Sequence, residues 1–421
     1  MKSLNPENTV QDKENMSEWK EAKLGDVCDL LDCLHKTPVY SEIGYPMVRV
    51  TDIKNGALDT SGCLKVSESV YKDFLKGYKP KVGDIIFSRV GSFGNSSIVK
   101  SDVAFCIGQN TTLIVAKDIN PFFAFYYLIS SDAQNQIYGL AGGSTQPTIS
   151  MKSIREIVFP LPSLPEQTAI AEVLSSLDDK IDLLHRQNKT LEQLAEALFR
   201  QWFVEEAEES WEEKGNGSLG EYIKIQNGYA FKSKDFKENG YAGIIKIRNI
   251  SMGSIDITNH DYVDKSVVEN LDKKFKIKTG DFLIAMTGAE IGKIGIVEKT
   301  DKEIWLNQRV GKLEARVPFG DLIGYLALKS KEGQEHITNA CAGSAQENIS
   351  STGIEEMLFA SYNEQKVNDL GIQIQPLFQK IIFNQGQIRT LTQLRDSLLP
   401  KLMSGEVRLH LDFQDEQMSR I

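Results

Sequence analysis

The chain has 421 residues, of which 41% are hydrophobic and 25% are charged, a composition that excludes a disordered or fibrous protein and favours two globular domains with connecting elements. No apolar run approaches the roughly 20 residues that span a membrane. The five cysteines are scattered without metal-ligand spacing, so we expect a cytoplasmic protein with reduced, buried thiols and no metal site.

Residues 1–17 are polar and mixed in charge, and we expect a disordered N-terminal tail there. Residues 18–162 contain short β-type runs separated by Gly-containing turns, together with one candidate helix at 122–129. The clearest runs are Met47-Val-Arg-Val, Asp84-Ile-Ile-Phe-Ser and Thr111-Thr-Leu-Ile-Val. This segment is therefore predicted to form a mainly β domain.

A long helix is predicted at 163–204. Ser163-Leu-Pro-Glu166 has the spacing of a capping box. Apolar residues then recur with alternating gaps of three and four, as on the seam of a coiled coil. The seam residues are Leu174, Leu177, Ile181, Leu184, Leu191 and Leu198.

The linker that follows, at 205–217, concentrates acidic charge in Glu205, Glu206, Glu208, Glu209, Glu212 and Glu213. The net charge of −10 at first argues against nucleic-acid binding, because phosphates are neutralised by Lys and Arg. Much of that charge, however, lies in this linker and away from any candidate binding surface.

The second half of the chain repeats the first. At an offset of 197, Lys79, Lys81 and Gly83-Asp84 match Lys276, Lys278 and Gly280-Asp281, and further along the offset becomes 200. The repeat predicts a second mainly β domain at 218–360, a helical region at 361–404 and a C-terminal tail at 405–421. Its seam residues are Leu377, Ile381, Ile388, Leu391, Leu398 and Leu402.

The two helical regions are expected to bury each other, since neither domain is obviously large enough to bury a helix of that length. An antiparallel pairing would place the domains at opposite ends. Pro376 interrupts the second seam and predicts a short helix followed by a kink or restart. The predicted fold class is α+β: two homologous mainly β domains separated by two long antiparallel coiled-coil helices, with a pseudo-two-fold internal repeat.

Asn188 and Asn384 each replace an apolar residue on the seam. Buried polar residues at such positions can fix the register of paired helices. Alternatively, both asparagines meet solvent where the helices diverge.

The chain lacks the sequence motifs of a phosphate-binding loop, a nucleophile elbow and a zinc-protease helix, which argues against a catalytic centre. Asn120-Pro-Phe-Phe resembles a methyltransferase motif without its second proline, and we interpret it as a helix start. Lysines beside aromatic residues suit phosphates, Arg suits guanine, and Asn and Gln suit adenine. The candidate DNA-contacting residues are Arg49, Lys79, Lys81, Arg89, Ser92, Asn95, Gln109 and Asn110 in the first copy, and Arg248, Asn249, Lys276, Lys278, Lys293, Gln308 and Arg309 in the second.

With its two domains and two helices in this order, nearly the whole chain resembles the specificity subunit of type I restriction-modification systems. The marks of the resemblance are Gly143-Ser-Thr-Gln146, Phe159-Pro-Leu-Pro-Ser-Leu-Pro-Glu-Gln167 with the helix after it, and the closing Leu398-Leu-Pro-Lys-Leu-Met-Ser-Gly-Glu406. The second copy departs from the pattern at Phe359-Ala-Ser-Tyr-Asn-Glu-Gln365. Ser144, Thr145, Gln146, Ser344 and Gln346 join the candidate DNA contacts.

The resemblance implies a non-catalytic subunit that binds double-stranded DNA with a split target and two methyltransferase subunits, with restriction subunits as further partners. S-adenosylmethionine and ATP would belong to those partners, and no cofactor to this chain. Half-sites about one turn of DNA apart would suit two readers at the ends of long helices. The alternatives are a coiled-coil adaptor whose end domains bind proteins, and a complete methyltransferase.

Overall fold

Short strands of two to six residues build the sheets of the first domain in the computed structural model, which describes residues 19–142, 147–205, 216–341 and 348–409. A five-stranded sheet has the order β2-β10-β7-β8-β5, a four-stranded sheet has the order β3-β6-β4-β9, and β1 pairs with β11. The strands are β1 (Lys20–Lys23), β2 (Cys28–Asp32), β3 (Tyr40–Ser41), β4 (Tyr45–Val48), β5 (Gly56–Ala57), β6 (Lys65–Val66), β7 (Ile85–Ser88), β8 (Ser96–Ile98), β9 (Cys106–Ile107), β10 (Thr111–Ala116) and β11 (Val158–Leu161).

Short helices of the first domain cover the sheets. They are α1 (Leu24–Val27), α2 (Glu68–Leu75), α3 (Pro121–Ile129), α4 (Ser131–Leu140) and α5 (Met151–Arg155). The predicted helix at 122–129 is confirmed in α3, where the Asn120 side chain accepts hydrogen bonds from the backbone N–H groups of Phe122 and Phe123 and Pro121 occupies the first turn.

The second domain repeats this arrangement. Its main sheet has the order β13-β21-β18-β19-β16-β15, so the strands equivalent to β2, β10, β7, β8 and β5 follow in the same order. The strands are β12 (Asn216–Ser218), β13 (Ile223–Asn227), β14 (Ala242–Ile245), β15 (Ile250–Ser251), β16 (Gly253–Ile255), β17 (Asp261–Val263), β18 (Phe282–Ala285), β19 (Ile294–Ile296), β20 (Ile304–Leu306), β21 (Val310–Ala315) and β22 (Leu358–Ala360). The pairs β4·β9 and β14·β20 are both parallel, which shows that the duplication extends to strand direction.

Two long helices account for the predicted seams. The first, α6 (Leu164–Arg200), ends in a π turn at Gln201–Glu205. After the short helices α7 (Lys265–Val268), α8 (Gly320–Lys329), α9 (Lys331–Cys341) and α10 (Ser351–Glu355), the second long helix α11 runs from Glu364 to Met403. The short helix and the restart predicted at Pro376 are wrong, because α11 passes through this exposed proline as one helix.

The chain divides into two units, one formed by residues 1–180 and 391–421 and the other by residues 181–390. In the first unit Ile170, Leu174 and Leu402 share a core with the first domain. In the second unit α6 and the π turn after it contribute Ala195, Phe199 and Phe203 to the core of the second domain, and α11 contributes Val367, Leu370, Ile374, Phe378 and Ile381.

The expectation that the helices would bury mainly each other is therefore wrong. Each helix contributes side chains to domain cores as well as meeting its partner, because buried apolar residues of the domains and of the helices pack in the same clusters. All the predicted seam residues are nonetheless buried or half-buried, and the helices run antiparallel, since Asp178 contacts Arg395 while Asn188 contacts Asn384. The predicted fold class is confirmed.

Residues just beyond α11 also belong to the first unit. Arg408 donates a hydrogen bond to Glu166 at 2.9 Å and lies over the Trp19 ring, with 4.3 Å between its guanidinium carbon and the ring centroid. Val407 and Leu409 pack against the core. The segment predicted as a C-terminal tail thus begins with ordered residues, while residues 1–18, 206–215 and 410–421 lie outside the described part of the chain.

Candidate nucleic-acid interface

Three loops of the first domain come together at one end of its main sheet. The loop after β7 meets the turn before β10 where the Arg89 amide donates to the Asn110 carbonyl at 2.9 Å. The same loop meets the chain before α5, where the Ile149 amide donates to the Arg89 carbonyl at 3.0 Å. Asn110 has a φ of 62°, a left-handed conformation that asparagine tolerates better than most residues.

The second domain assembles the same loops with equivalent backbone bonds. The Met286 amide donates to the Arg309 carbonyl at 3.1 Å, and the Ile349 amide donates to the Met286 carbonyl at 3.0 Å. Met286 occupies the position of Arg89, and Arg309 that of Asn110. The repeat therefore keeps the loop framework while the side chains that it displays differ.

The predicted DNA-contacting residues differ in how freely their side chains can reach a ligand. Half-buried positions hold Arg49, Arg89, Asn95, Lys276 and Lys293, and Asn249 is buried. Exposed positions hold Lys79, Lys81, Ser92, Gln109, Asn110, Arg248, Lys278, Gln308 and Arg309. Of the loop residues, Ser92, Gln109, Asn110, Gln308 and Arg309 are both exposed and located at the three-loop end of their domain.

Arg89 is held by neighbours on both sides. One terminal nitrogen donates to Asp32 Oδ1 at 2.6 Å, and Nε donates to the Ile149 carbonyl at 3.3 Å. Asp32 also pairs with His35 at 3.1 Å. Burial disfavours the charge on Asp32, but the bond to His35 and the charge of Arg89 outweigh it and lower the pKa of this carboxyl. The guanidinium thus ties the loop after β7 to the end of β2.

Arg49 and Asn249 support the same turn in the two copies. Asp52 accepts hydrogen bonds from the backbone and side chain of Arg49 at 2.9 and 3.0 Å, closing the turn after β4. At the equivalent turn after β14, Asn249 Oδ1 accepts from the Lys246 amide at 3.0 Å, and Nδ2 donates to the Asn259 carbonyl at 2.6 Å. The oxygen and the nitrogen of the Asn249 side-chain amide are therefore both already hydrogen-bonded inside the domain.

The repeated lysines lie at the opposite end of the sheet from the three loops. Lys79 and Lys81 precede β7 and Arg89 follows it, so the strand separates them by about 13 Å. The Lys81 amide donates to Asp84 at 2.7 Å, and the Lys278 amide donates to Asp281 at 2.8 Å, which explains the repeated Gly-Asp turn. The structure does not bring these lysines together with the loop residues.

Lys276, Lys293 and Arg248 are each engaged by a carboxylate. Lys276 pairs with Glu303 at 2.5 Å and Arg248 with Asp261 at 3.0 Å, while Lys293 pairs with Glu290. Asn95 donates to the Ile53 carbonyl at 3.4 Å. Among the described residues, Arg309 has no carboxylate partner and is the unpaired guanidinium of the loop set.

Two aromatic residues at the first loop cluster were missed by the sequence reasoning. Phe93, next to Ser92, packs against Tyr138 of α4 with 5.1 Å between ring centroids, and Tyr138 is 64% exposed. The signal that could have found Phe93 is its place in a turn of glycines and serines, whereas Tyr138 lies in a helix. Ser144, Thr145, Gln146, Ser344 and Gln346 lie outside the described residues.

Asp32, Cys33 and His35 bring their potential metal-ligating atoms within 4.8 Å of one another. We assign no metal to this group, because Asp32 is already paired with Arg89 and burial raises the pKa of the Cys33 thiol. The prediction of unpaired, buried thiols is confirmed for all five cysteines. In the described part of the chain no helix is long and apolar enough to cross a membrane.

Two mainly β domains of one fold, each presenting its own set of loop side chains and followed by a long helix, define a duplicated recognition protein. The family model of the type I restriction modification DNA specificity domain matches residues 16–193 and again residues 208–360, and the chain belongs to this family. It is a DNA specificity subunit with two recognition domains.

Relatives agree over most of the length. The chain is similar to the type I restriction enzyme MjaIX specificity subunit of Methanocaldococcus jannaschii, with 25% identity over 82% of both chains. It is 22% identical to the HindI specificity subunit of Haemophilus influenzae, over 93% of this chain and 100% of the relative. The crystal structure of the type I restriction-modification S subunit from M. genitalium shares the fold with a TM-score of 0.59 and 20% identity, over 92% of this chain and 97% of that one.

Proposed function

We propose that each domain reads one half of a split double-stranded DNA target through its three-loop end, and that the chain directs two methyltransferase subunits to adenines in the two halves. The observation that carries this proposal is the contrast within the repeat. The loop backbones are joined by the same hydrogen bonds, while Arg89 and Asn110 in one copy correspond to Met286 and Arg309 in the other. Two readers of one fold with different side chains suit two different half-sites.

The exposed loop residues are the base-reading candidates that the geometry favours. Gln109 and Asn110 in the first domain suit adenine, while Gln308 and Arg309 in the second suit adenine and guanine. The lysines before β7 and β18 would contribute phosphate contacts at most, because they lie at the other end of those strands. Half-sites about one DNA turn apart are the target that two readers of this kind would suit.

The surface for partner subunits lies on the outer faces of the helices. Leu183 and Leu194 of α6 are 40% and 48% exposed, and their equivalents at offset 200, Phe383 and Leu394 of α11, are 53% and 44% exposed. On each helix the two residues are 11 apart, which is about three turns and places them on one face. Two matching pairs of exposed apolar residues suit two copies of one partner, and a methyltransferase subunit is the partner that the family implies.

The chain supplies recognition and no catalysis in this proposal. S-adenosylmethionine and ATP are then bound by the methyltransferase and restriction subunits, and the complex works in the cytoplasm. Asn120, the residue of the methyltransferase-like motif, supports this because both of its N-cap bonds stabilise the start of α3. The rival adaptor function predicts protein-binding domains instead.

The decisive experiment maps methylated adenines made by the chain together with its methyltransferase subunit. Gln109→Ala should relax recognition in one half of the target and Arg309→Ala in the other, with a loss of about 1–3 kcal/mol of base discrimination each. Lys331→Ala, which removes an exposed charge outside the loop set, is the matched control. Change in both halves from a single substitution would contradict one reader per half-site.

Two further measurements separate the alternatives. DNA affinity of the complex should fall steeply and log-linearly with salt, whereas an adaptor would show no such slope. The isolated chain should not bind labelled S-adenosylmethionine, and binding would favour a complete methyltransferase.

Leu183→Glu and Phe383→Glu should each reduce methyltransferase binding, while Gln193→Glu and Gln393→Glu, exposed neighbours on the same helices, should not.

A further inference from the structure

Asn188 and Asn384 meet on the seam of the second unit. Asn384 is fully buried, and its Nδ2 donates to Asn188 Oδ1 at 2.8 Å, while its own Oδ1 finds no partner among the described residues. The alternative in which both asparagines simply face solvent is therefore wrong for Asn384. A buried amide that is half-satisfied costs stability, so it needs a compensating role.

The internal repeat shows which pairing of the long helices this asparagine pair favours. At the offset of 200, Asn188 corresponds to Ile388 and Asn384 corresponds to Leu184. In antiparallel helices the contact of Asn188 with Asn384 sets Leu184 level with Ile388, four residues along each helix. Leu184 is 1% exposed, so this second level is apolar. The pairing of α6 with α11 therefore matches amide with amide and aliphatic with aliphatic.

Pairing of either helix with its own counterpart in a second copy of the chain would break both matches. Two α6 helices in the same register would set each Asn188 against Leu184 of the other copy. Two α11 helices would set each Asn384 against Ile388. Each mismatch buries an amide without a partner and lowers the pairing constant by about tenfold or more.

An ion pair in the first unit follows the same rule. Asp178, on α6, accepts a hydrogen bond from Arg395, on α11, at 2.9 Å, and their side chains are 13% and 26% exposed. Their equivalents at offset 200 are Phe378 and Ala195, both buried in the core of the second unit. Two α6 helices would place Asp178 against Ala195, and two α11 helices would place Arg395 against Phe378.

We infer that these two polar pairs are a pairing-selection device, which makes α6 and α11 complementary to each other and incompatible with themselves. The rest of the seam gives no such preference, because Leu191 and Leu198 recur as Leu391 and Leu398. The device matters during synthesis, since α6 is complete before α11 exists and its free seam can meet α6 of another nascent chain. The mismatches disfavour that symmetric dimer until α11 is available.

The test compares two full-length variants with the wild type. Asn188→Ile with Asn384→Leu makes the two helices alike at this pair, and Leu184→Asn with Asn384→Leu exchanges the residues and inverts the preference at unchanged composition. Two differently tagged copies are co-expressed, and the fraction recovered as a mixed complex is measured by affinity capture and sedimentation. Recovery should be lowest for wild type, about tenfold higher for the first variant and higher still for the second.

Controls make the outcome decisive. Copies that exchange helices while keeping α6 with α11 also form mixed complexes, and the wild type measures that contribution for the native seam. The second variant mismatches α6 with α11, so helix exchange cannot raise its recovery above the wild-type level. Gln193→Leu with Gln393→Leu adds two apolar residues at exposed matched positions and should stay at the wild-type level. Equal recovery for all samples, or an equal rise in this control, overturns the inference. If the exchanged variant does not fold, the first variant against the wild type decides.

Discussion

Asn249 distinguishes a residue that reads bases from one that holds the reader together. The side chain is 3% exposed, accepts from the Lys246 amide at 3.0 Å and donates to the Asn259 carbonyl at 2.6 Å. Asn249→Ala removes both bonds and leaves the half-buried Lys246 amide without an acceptor. We expect a loss of about 2–4 kcal/mol in the stability of the second unit, which corresponds to a fall of roughly 4–16 °C in Tm for a unit of this size.

The assay combines thermal unfolding with the map of methylated adenines. If Asn249 supports the turn, the Tm falls while the recognised sequence stays the same wherever the protein remains folded. If Asn249 reads adenine, the Tm is unchanged and discrimination at one base falls by about 1–3 kcal/mol. Asn249→Asp copies Asp52 of the first domain, keeps the acceptor and should lose less stability. An Asn249→Ala protein with wild-type Tm and altered recognition would refute the structural role.

Further expectations concern the core, a buried histidine and the thiols. Ile381→Asp places an unpaired charge at a position that is 1% exposed, so it should unfold the second unit and prevent assembly of the complex. Gln379→Asp, at an exposed position on the same helix, should be tolerated. Wild-type assembly by the Ile381→Asp protein would contradict the packing. Burial lowers the pKa of His260, whose ring nitrogens have no partner in the described residues, so stability should be full above about pH 6.5 and fall as pH drops below it. His260→Phe should flatten that acid limb in pH-dependent melting curves. Burial raises the pKa of Cys28 and Cys106 to about 12, so a thiol reagent should leave both unmodified until the protein is denatured.

The repeat and the elements within it were accessible from sequence because they depend on local patterns. Apolar runs after Gly-Asp turns predict strands such as β7 and β18. Apolar residues spaced three and four apart predict the helix seams. The prediction at Pro376 failed because side-chain burial outweighed the tendency of proline to break a helix. Ile374 and Phe378 on either side of it are buried, and their burial, at about 1.5–3 kcal/mol each, exceeds the roughly 3 kcal/mol cost of a proline inside a helix.

The sequence pattern could not predict which residues each side chain contacts. An apolar stripe shows which face of a helix is buried but not what covers it, so the insertion of Phe199 and Phe378 into the second domain was not foreseen. The same limit applies to the candidate DNA contacts. Arg49 and Asn249 have side chains suited to base edges, yet in the fold they close equivalent turns, a use that only the three-dimensional neighbourhood of each residue reveals.

Differences between the two copies carry more functional information than their similarities. Positions that agree, such as the Gly-Asp turns, maintain a fold that both domains share. Positions that differ fall into two groups with separate consequences: loop residues such as Arg309 against Asn110, and seam residues such as Asn384 against Leu184. The first group changes what each domain can contact, and the second makes the two helices non-equivalent while their backbones stay alike. A duplicated chain with identical halves would lack both distinctions, so it would read a symmetric target and pair equally well with another copy of itself.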